Sequence, residues 1–139
     1  MENNNTITIE TIVNAPVEKV WDCWTDPVKI KQWNNASDDW HTPYAENDLR
    51  PGGFFLSRMA AKDGSFQFDF QGVYDDVQLY KSISYTIADG RKVRVDFIPH
   101  DGQTKISERF EPESTNSLEM QRNGWLAILN NFKKFAESE

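Results

Sequence analysis

The sequence predicts an α+β fold in which a curved antiparallel sheet of about six strands is closed over by one long C-terminal helix. Three observations carry this. Alternating apolar and polar residues fill the middle of the chain. Three Asp-Gly pairs, Asp63-Gly64, Asp89-Gly90 and Asp101-Gly102, punctuate that run, and an amphipathic stretch from Asn116 to about Glu137 ends it. Asp-Gly supplies the positive backbone angles of tight hairpins, so neighbouring strands should pair antiparallel in a meander.

The first strand is expected over about Thr6 to Val13, where Ile7 and Ile9 alternate with Thr8 and Glu10 before Asn14-Ala15-Pro16 stops it. Asn14 can cap a following helix, and Pro16 suits a first turn, where a missing N–H costs nothing. Val17, Val20, Trp21 and Trp24 then fall at i, i+3, i+4 and i+7, one apolar stripe. Asp26-Pro27 interrupts it, and Val28 to Trp33 reads as a second short helix. Asn34 to Arg50 shows neither period and is expected to be a long loop, a kind of segment that is often functional.

After Pro51-Gly52-Gly53 the expected strands are Phe54 to Met59, Phe66 to Tyr74, Lys81 to Ile87, Lys92 to Ile98 and Thr104 to Phe110. Phe66, Phe68, Phe70, Gly72 and Tyr74 share one parity, which turns an aromatic face inward, and the same rule turns Val93, Val95 and Phe97 inward. Asn116 with Glu119 three residues on makes a capping-box pattern for the last helix. Leu118, Trp125, Ile128, Leu129, Phe132, Phe135 and Ala136 form its apolar stripe, and a helix of about 20 residues is about 30 Å long, enough to cross the sheet.

Length and composition bound what the chain does. Its 139 residues suit a single domain, 1–139, with a core at about 6–136. Nine Phe, five Trp and four Tyr are more rings than one small sheet needs for filling, which favours a wide or aromatic-lined interior. A net charge of −7 repels phosphate backbones and anionic lipid surfaces, so neither nucleic acid nor membrane is an expected partner. One cysteine, Cys23, and a polar start from Met1 to Thr6 point to a reducing cytoplasm. No apolar run approaches the roughly 20 residues that span a bilayer.

Several short patterns follow one another along the chain: Asn14-Ala15-Pro16 with Val20-Trp21, Trp33, Asp48-Leu49-Arg50-Pro51-Gly52-Gly53 with Phe55, Gly72 with Tyr74, and Gly124-Trp125 with Leu129 and Phe132. In this order they resemble the helix-grip superfamily, which is START-related and polyketide-cyclase-like, in the branch named for the activator of the heat-shock protein 90 ATPase. The resemblance spans about Thr6 to Ala136. It implies a β-α-α-β-β-β-β-β-α order with the terminal helix gripped by the sheet over a hydrophobic cavity. The superfamily holds carriers, receptors, cyclases, hydrolases and chaperone regulators, so function has to come from the cavity. The eukaryotic chaperone activators carry a further N-terminal domain for which this chain has no room.

Phe55, Met59, Phe68, Phe70, Tyr74, Tyr85, Phe97, Met120 and Trp125 fall on inward parity or the sheet-facing side of the helix and are the candidate cavity lining, with core packing as the alternative. Trp40 and Tyr44, in the long loop, are placed near the entrance. Glu108 stands between Ile106 and Phe110, so strict alternation puts a carboxylate inside the sheet. There it would be neutralised, paired with Arg109 or Arg122, or ligand-facing, unless the strand end twists it to water. Asp38-Asp39-Trp40-His41 lacks zinc-site spacing, and His41 is the residue to test first for acid-base catalysis. Gly72 and Gly124 are read as points of close helix–sheet approach. Lys133-Lys134 reads as a solvated helix end. No metal or cofactor is expected.

The leading expectation is a monomeric, non-catalytic module binding a small hydrophobic or amphipathic molecule between helix and sheet. Alternatives are a cyclase- or hydrolase-type enzyme using Glu108 and His41 on an aromatic substrate, and a chaperone-interacting module that regulates an ATPase.

Overall fold

The computed structural model describes residues 6–139; apart from Thr6, the polar start read in the sequence lies outside the described residues. The chain runs β1 (Ile7–Val13), α1 (Val17–Thr25), α2 (Pro27–Trp33), β2 (Trp40–Asn47), β3 (Phe54–Ala61), β4 (Gln67–Gln78), β5 (Ser82–Ile87), β6 (Lys92–His100), β7 (Gln103–Phe110) and α3 (Leu118–Ser138). The strands form one antiparallel sheet of seven in the order β1-β7-β6-β5-β4-β3-β2. Consecutive strands from β2 to β7 are neighbours. β1 and β2 hold opposite edges, so α1 and α2 carry the chain from one side of the sheet to the other.

The sheet thus has one strand more than the expected six, because Trp40–Asn47, expected as a loop, is an edge strand. It pairs only with β3, and its register shifts between His41 and Tyr44, around Pro43. Proline is tolerated at a sheet edge, where its missing N–H faces no partner. The shift scrambles the inside-outside alternation that would have revealed the strand.

Of the three Asp-Gly pairs, Asp101-Gly102 is a two-residue link, with φ of 50° and 80° joining His100 to its partner Gln103. That is the mirror-image turn a twisted hairpin prefers. The other two pairs sit in longer connections, with positive φ at Gly64 and Gly90 alone.

Helix starts differ from the sequence reading. α1 begins after Pro16 with no side-chain cap, and the Asn14 backbone N–H instead donates to Glu137 Oε2 at 2.8 Å. For α3 the cap is Ser117, whose hydroxyl accepts from the Met120 N–H at 3.1 Å. Asn116 is engaged by Glu113, whose carboxylate accepts its backbone N–H and side-chain amide. Lys133, expected to be solvated, donates to the Ile12 carbonyl at 2.9 Å and so ties α3 to β1.

The core lies between the concave face of the sheet and the helices. Ile9, Val13, Val20, Val95, Ile106, Phe110, Leu129 and Phe132 are almost wholly enclosed. A second layer of rings joins α1 and α2 to it: Trp24 meets Trp33, Phe97 and Phe132 with centroids 5.1, 5.8 and 4.8 Å away. The contacts with Phe97 and Phe132 are edge-on, and pairs of this kind contribute beyond their buried area.

Candidate ligand cavity

α3 packs its backbone closest to β1, with further contact to α1 and α2. Over the other half of the concave face the helix is held off by its own side chains. Trp125 touches Phe70 of β4 edge-on at 6.0 Å and lies flat on Phe110 of β7 at 3.9 Å. The space left between the Trp125–Leu129 segment, the end of α2 and strands β2 to β5 is a cavity of about 270 Å³.

Of the residues read from the sequence as lining, Phe55, Met59, Phe68, Phe70, Tyr74, Tyr85, Glu108 and Trp125 border this cavity. Phe55, Met59, Phe68 and Phe70 do so because β3 and β4 pair with Phe55 opposite Gly72 and Met59 opposite Phe68, which puts one parity of each strand on the concave face. Gly72 is the device that lets Phe55 lie there. A β-carbon on it would stand 3.0 Å from the Phe55 ring and would collide with the Thr86 carbonyl oxygen. The close approach is thus between strand and ring, not helix and sheet, and Gly124 has open space around it.

Five readings are corrected. Phe97, 2% exposed, does face inward, but it lies under α1 against Trp21 and Trp24 and belongs to the core. Parity assigns a side, not a depth. Met120 is 60% exposed, because the buried stripe of α3 runs through Gln121, Trp125, Leu129 and Phe132, one position round from it. Tyr44 pairs with Arg58 and stands outward, its ring 5.7 Å from that guanidinium and its hydroxyl donating to Glu46 at 2.8 Å. His41 is exposed and does not border the cavity, so it does not share a void with Glu108. Trp40 misses the cavity as well, although it packs on Phe68, which does line it, at 6.0 Å. Together with Phe66 these rings make an aromatic rim.

Sequence reading missed Trp24, Trp33, Asn47, Ser57 and Arg91 of the lining. In the sequence these two Trp residues carry only the signal of a helix stripe and a helix end. Asn47 had no signal, since its strand was unseen. It accepts the Tyr74 hydroxyl and donates to the Thr25 carbonyl at 2.7 Å, so it links β2 to both β4 and α1.

Glu108 is the chemically distinctive wall. It sits in the middle of the sheet between Ile9 of β1 and Val95 of β6, and is 6% exposed. Arg109 has the outward parity, and Arg122 is exposed on α3, so neither sequence-suggested partner reaches it. Burial alone pushes its carboxyl up to about 8, so at neutral pH it is mostly protonated. Burial also raises the Tyr85 hydroxyl well above its ordinary value, and after burial the Glu108 charge is the strongest influence on it. Among the described residues no fully enclosed polar side-chain atom lacks a partner. The Glu108 carboxyl and the Tyr85 hydroxyl, which no side chain or backbone group engages, therefore open onto the cavity.

A family model described as Activator of Hsp90 ATPase homolog 1-like protein matches residues 14–137. The chain belongs to this family. The helix-grip architecture expected from the sequence is accordingly the one observed, with the extra edge strand. The structure is similar to that of an AHSA1-like protein from Aeromonas hydrophila, with 42% identity, a TM-score of 0.91 and coverage of 96% of this chain and 93% of that one. A protein from Cytophaga hutchinsonii is 52% identical with a TM-score of 0.84, covering 97% of this chain and 94% of its own. A protein from Nitrosomonas europaea shares the fold at 20% identity, with a TM-score of 0.83 and coverage of 96% and 94%. No curated protein matches the chain. Among the described residues no helix is long and apolar enough to cross a membrane.

Proposed function

We propose that this protein holds one small hydrophobic or amphipathic molecule between α3 and the sheet, without turnover, as a monomeric cytoplasmic carrier or sensor. What supports the reading is the cavity of about 270 Å³ walled by rings from β3, β4, β5, α1, α2 and α3. Its size sits near the lower end of small-molecule sites, roughly 300 Å³, which favours a compact guest. Burial of apolar guest surface supplies the affinity, and the few polar groups of the wall set the orientation.

Chemical-shift perturbation with a panel of lipids, flavonoids and polyketides tests this. Signals of Phe70, Tyr85 and Trp125 should move while Phe97 stays still. Shifts confined to the outer face of the sheet would reject the reading. Native mass spectrometry of freshly purified protein gives an independent answer through any co-purified guest.

The cyclase or hydrolase reading relied on His41 and Glu108 acting together, and His41 lies outside the cavity. Regulation of a chaperone ATPase draws support from the family description alone. A chaperone ATPase assay with the purified protein separates it from ligand carriage.

A further inference from the structure

We propose that Glu108 and Tyr85 form a two-donor subsite that takes one carbonyl oxygen, so that the guest is a compact aromatic or alicyclic ketone rather than a plain hydrocarbon, an amine or a fatty acid. The inference rests on the cavity-binding reading above and names the chemistry of its polar end.

The geometry comes from the sheet. Glu108 on β7 is opposite Val95, which is opposite Ile83 on β5; Tyr85 is two residues further along the same strand. The two side chains therefore start about 10 Å apart across the strands and about 7 Å apart along them. Both stand on the concave face and border the same cavity. The two are near enough that, after burial, Glu108 acts most strongly on the Tyr85 hydroxyl.

The chemistry follows from what surrounds them. A carboxyl enclosed by Ile9 and Val95 without a counter-ion is held neutral, and a neutral carboxyl has one O–H to donate. A buried tyrosine hydroxyl also has one. Several other polar groups along the wall are already committed, and the free Ser57 hydroxyl and Asn34 amide belong to β3 and the end of α2, away from β5 and β7. The Tyr74 hydroxyl donates to Asn47, and Arg91 is held by Asp89 at 2.8 Å and by the Glu111 carbonyl at 3.4 Å. Glu46 accepts from Tyr44 at 2.8 Å. The α3 side of the cavity adds only Trp125, Ile128 and Leu129, none of which titrates. Glu108 and Tyr85, two free donors bordering the same largely apolar space, suit one acceptor with two lone pairs, which a ketone oxygen has. A protonated carboxylic acid beside a tyrosine is a known way to hold such an oxygen in an apolar site. A carboxylate guest would face the −7 net charge, and an amine guest would have to force Glu108 to ionise.

Fluorescence titration of Trp24, Trp33 and Trp125, which line the cavity, supplies the test, with 2-acetylnaphthalene, 2-ethylnaphthalene and 2-naphthylmethylamine as probes at pH 6. The ketone should bind at least tenfold more tightly than the hydrocarbon. Tyr85→Phe and Glu108→Met should each reduce that ratio several-fold. Glu108→Gln, which keeps an N–H donor, should retain much of it. Raising the pH to 9.5 should weaken ketone binding in the native protein but not in Glu108→Gln. Equal affinity for ketone and hydrocarbon overturns the subsite and leaves the cavity reading standing. Tightest binding by the amine, lost in Glu108→Gln, overturns it in favour of an ionised Glu108. No binding of any probe overturns both.

Discussion

Trp125 lies face to face on Phe110, ring centroids 3.9 Å apart and planes 9° from parallel. Phe110 has the parity of Glu108 on β7, so the stack fixes α3 above the strand that carries the buried carboxyl. The same indole meets Phe70, another wall of the cavity, edge-on. One residue therefore both anchors the helix and closes a wall of the cavity.

Trp125→Ala should cost about 3 kcal/mol of folding stability, at the low end for removal of a large ring because the indole is only partly buried. It should also abolish guest binding. Urea unfolding monitored by circular dichroism reads the first effect. A loss under 1 kcal/mol would show that the stack does not hold the helix.

Gly72→Ala should destabilise by about 1–3 kcal/mol through overpacking, since its added methyl group meets the Phe55 ring and the Thr86 carbonyl. The companion Phe55→Leu should relieve part of that cost. A double-mutant cycle with additive energies would contradict the contact.

Glu108 makes stability depend on pH in a defined direction. Its carboxyl titrates near 8 in the folded protein, against an ordinary 4.5, so between those values the folded state holds a proton that the unfolded chain has released. Stability is then full below about pH 4.5, falls by up to about 1.4 kcal/mol per pH unit as pH rises, and levels off above about 8. Glu108→Gln should remove this fall. Urea midpoints at pH 5, 6.5 and 8.5 that run parallel for the two proteins would exclude a buried, unpaired carboxyl.

Phe97→Ala should cost about 3–5 kcal/mol, because the ring is enclosed among Trp21 and Trp24. Relative affinities for different guests should not change in whatever fraction stays folded. A shift in guest preference would place Phe97 on the cavity after all.

His41→Ala, Tyr44→Phe and Met120→Ala should each change stability by no more than about 0.5 kcal/mol, as expected for exposed positions. Guest affinity should stay within twofold. A tenfold loss in His41→Ala would reinstate that imidazole in the site.

Much of the fold was legible because it is written locally. Alternation located β3 to β7, the Asp-Gly pairs marked three of the five connections between β2 and β7, and the stripe through Trp125, Leu129 and Phe132 gave α3 to within two residues at its start. β2 was not legible, since an edge strand with a register shift at Pro43 has no fixed inner face to pattern. Within the cavity, parity placed Phe55, Phe68, Phe70 and Tyr85 on the concave side, yet it gave the same answer for Phe97, which is core.

By itself the sequence determined which side of β3 to β7 faces inward, where the chain turns, and that alternation puts a carboxylate on the inward side at Glu108. Only the tertiary structure decided that α3 leans toward β1 and leaves room over β3 to β5, and that Tyr85 and Glu108, on strands separated by β6, open into that room together. The reason is physical. A side chain's inward direction follows from the two-residue period of its own strand, whereas empty space and convergence depend on register, sheet curvature and helix placement, which are set by contacts between residues far apart in the chain.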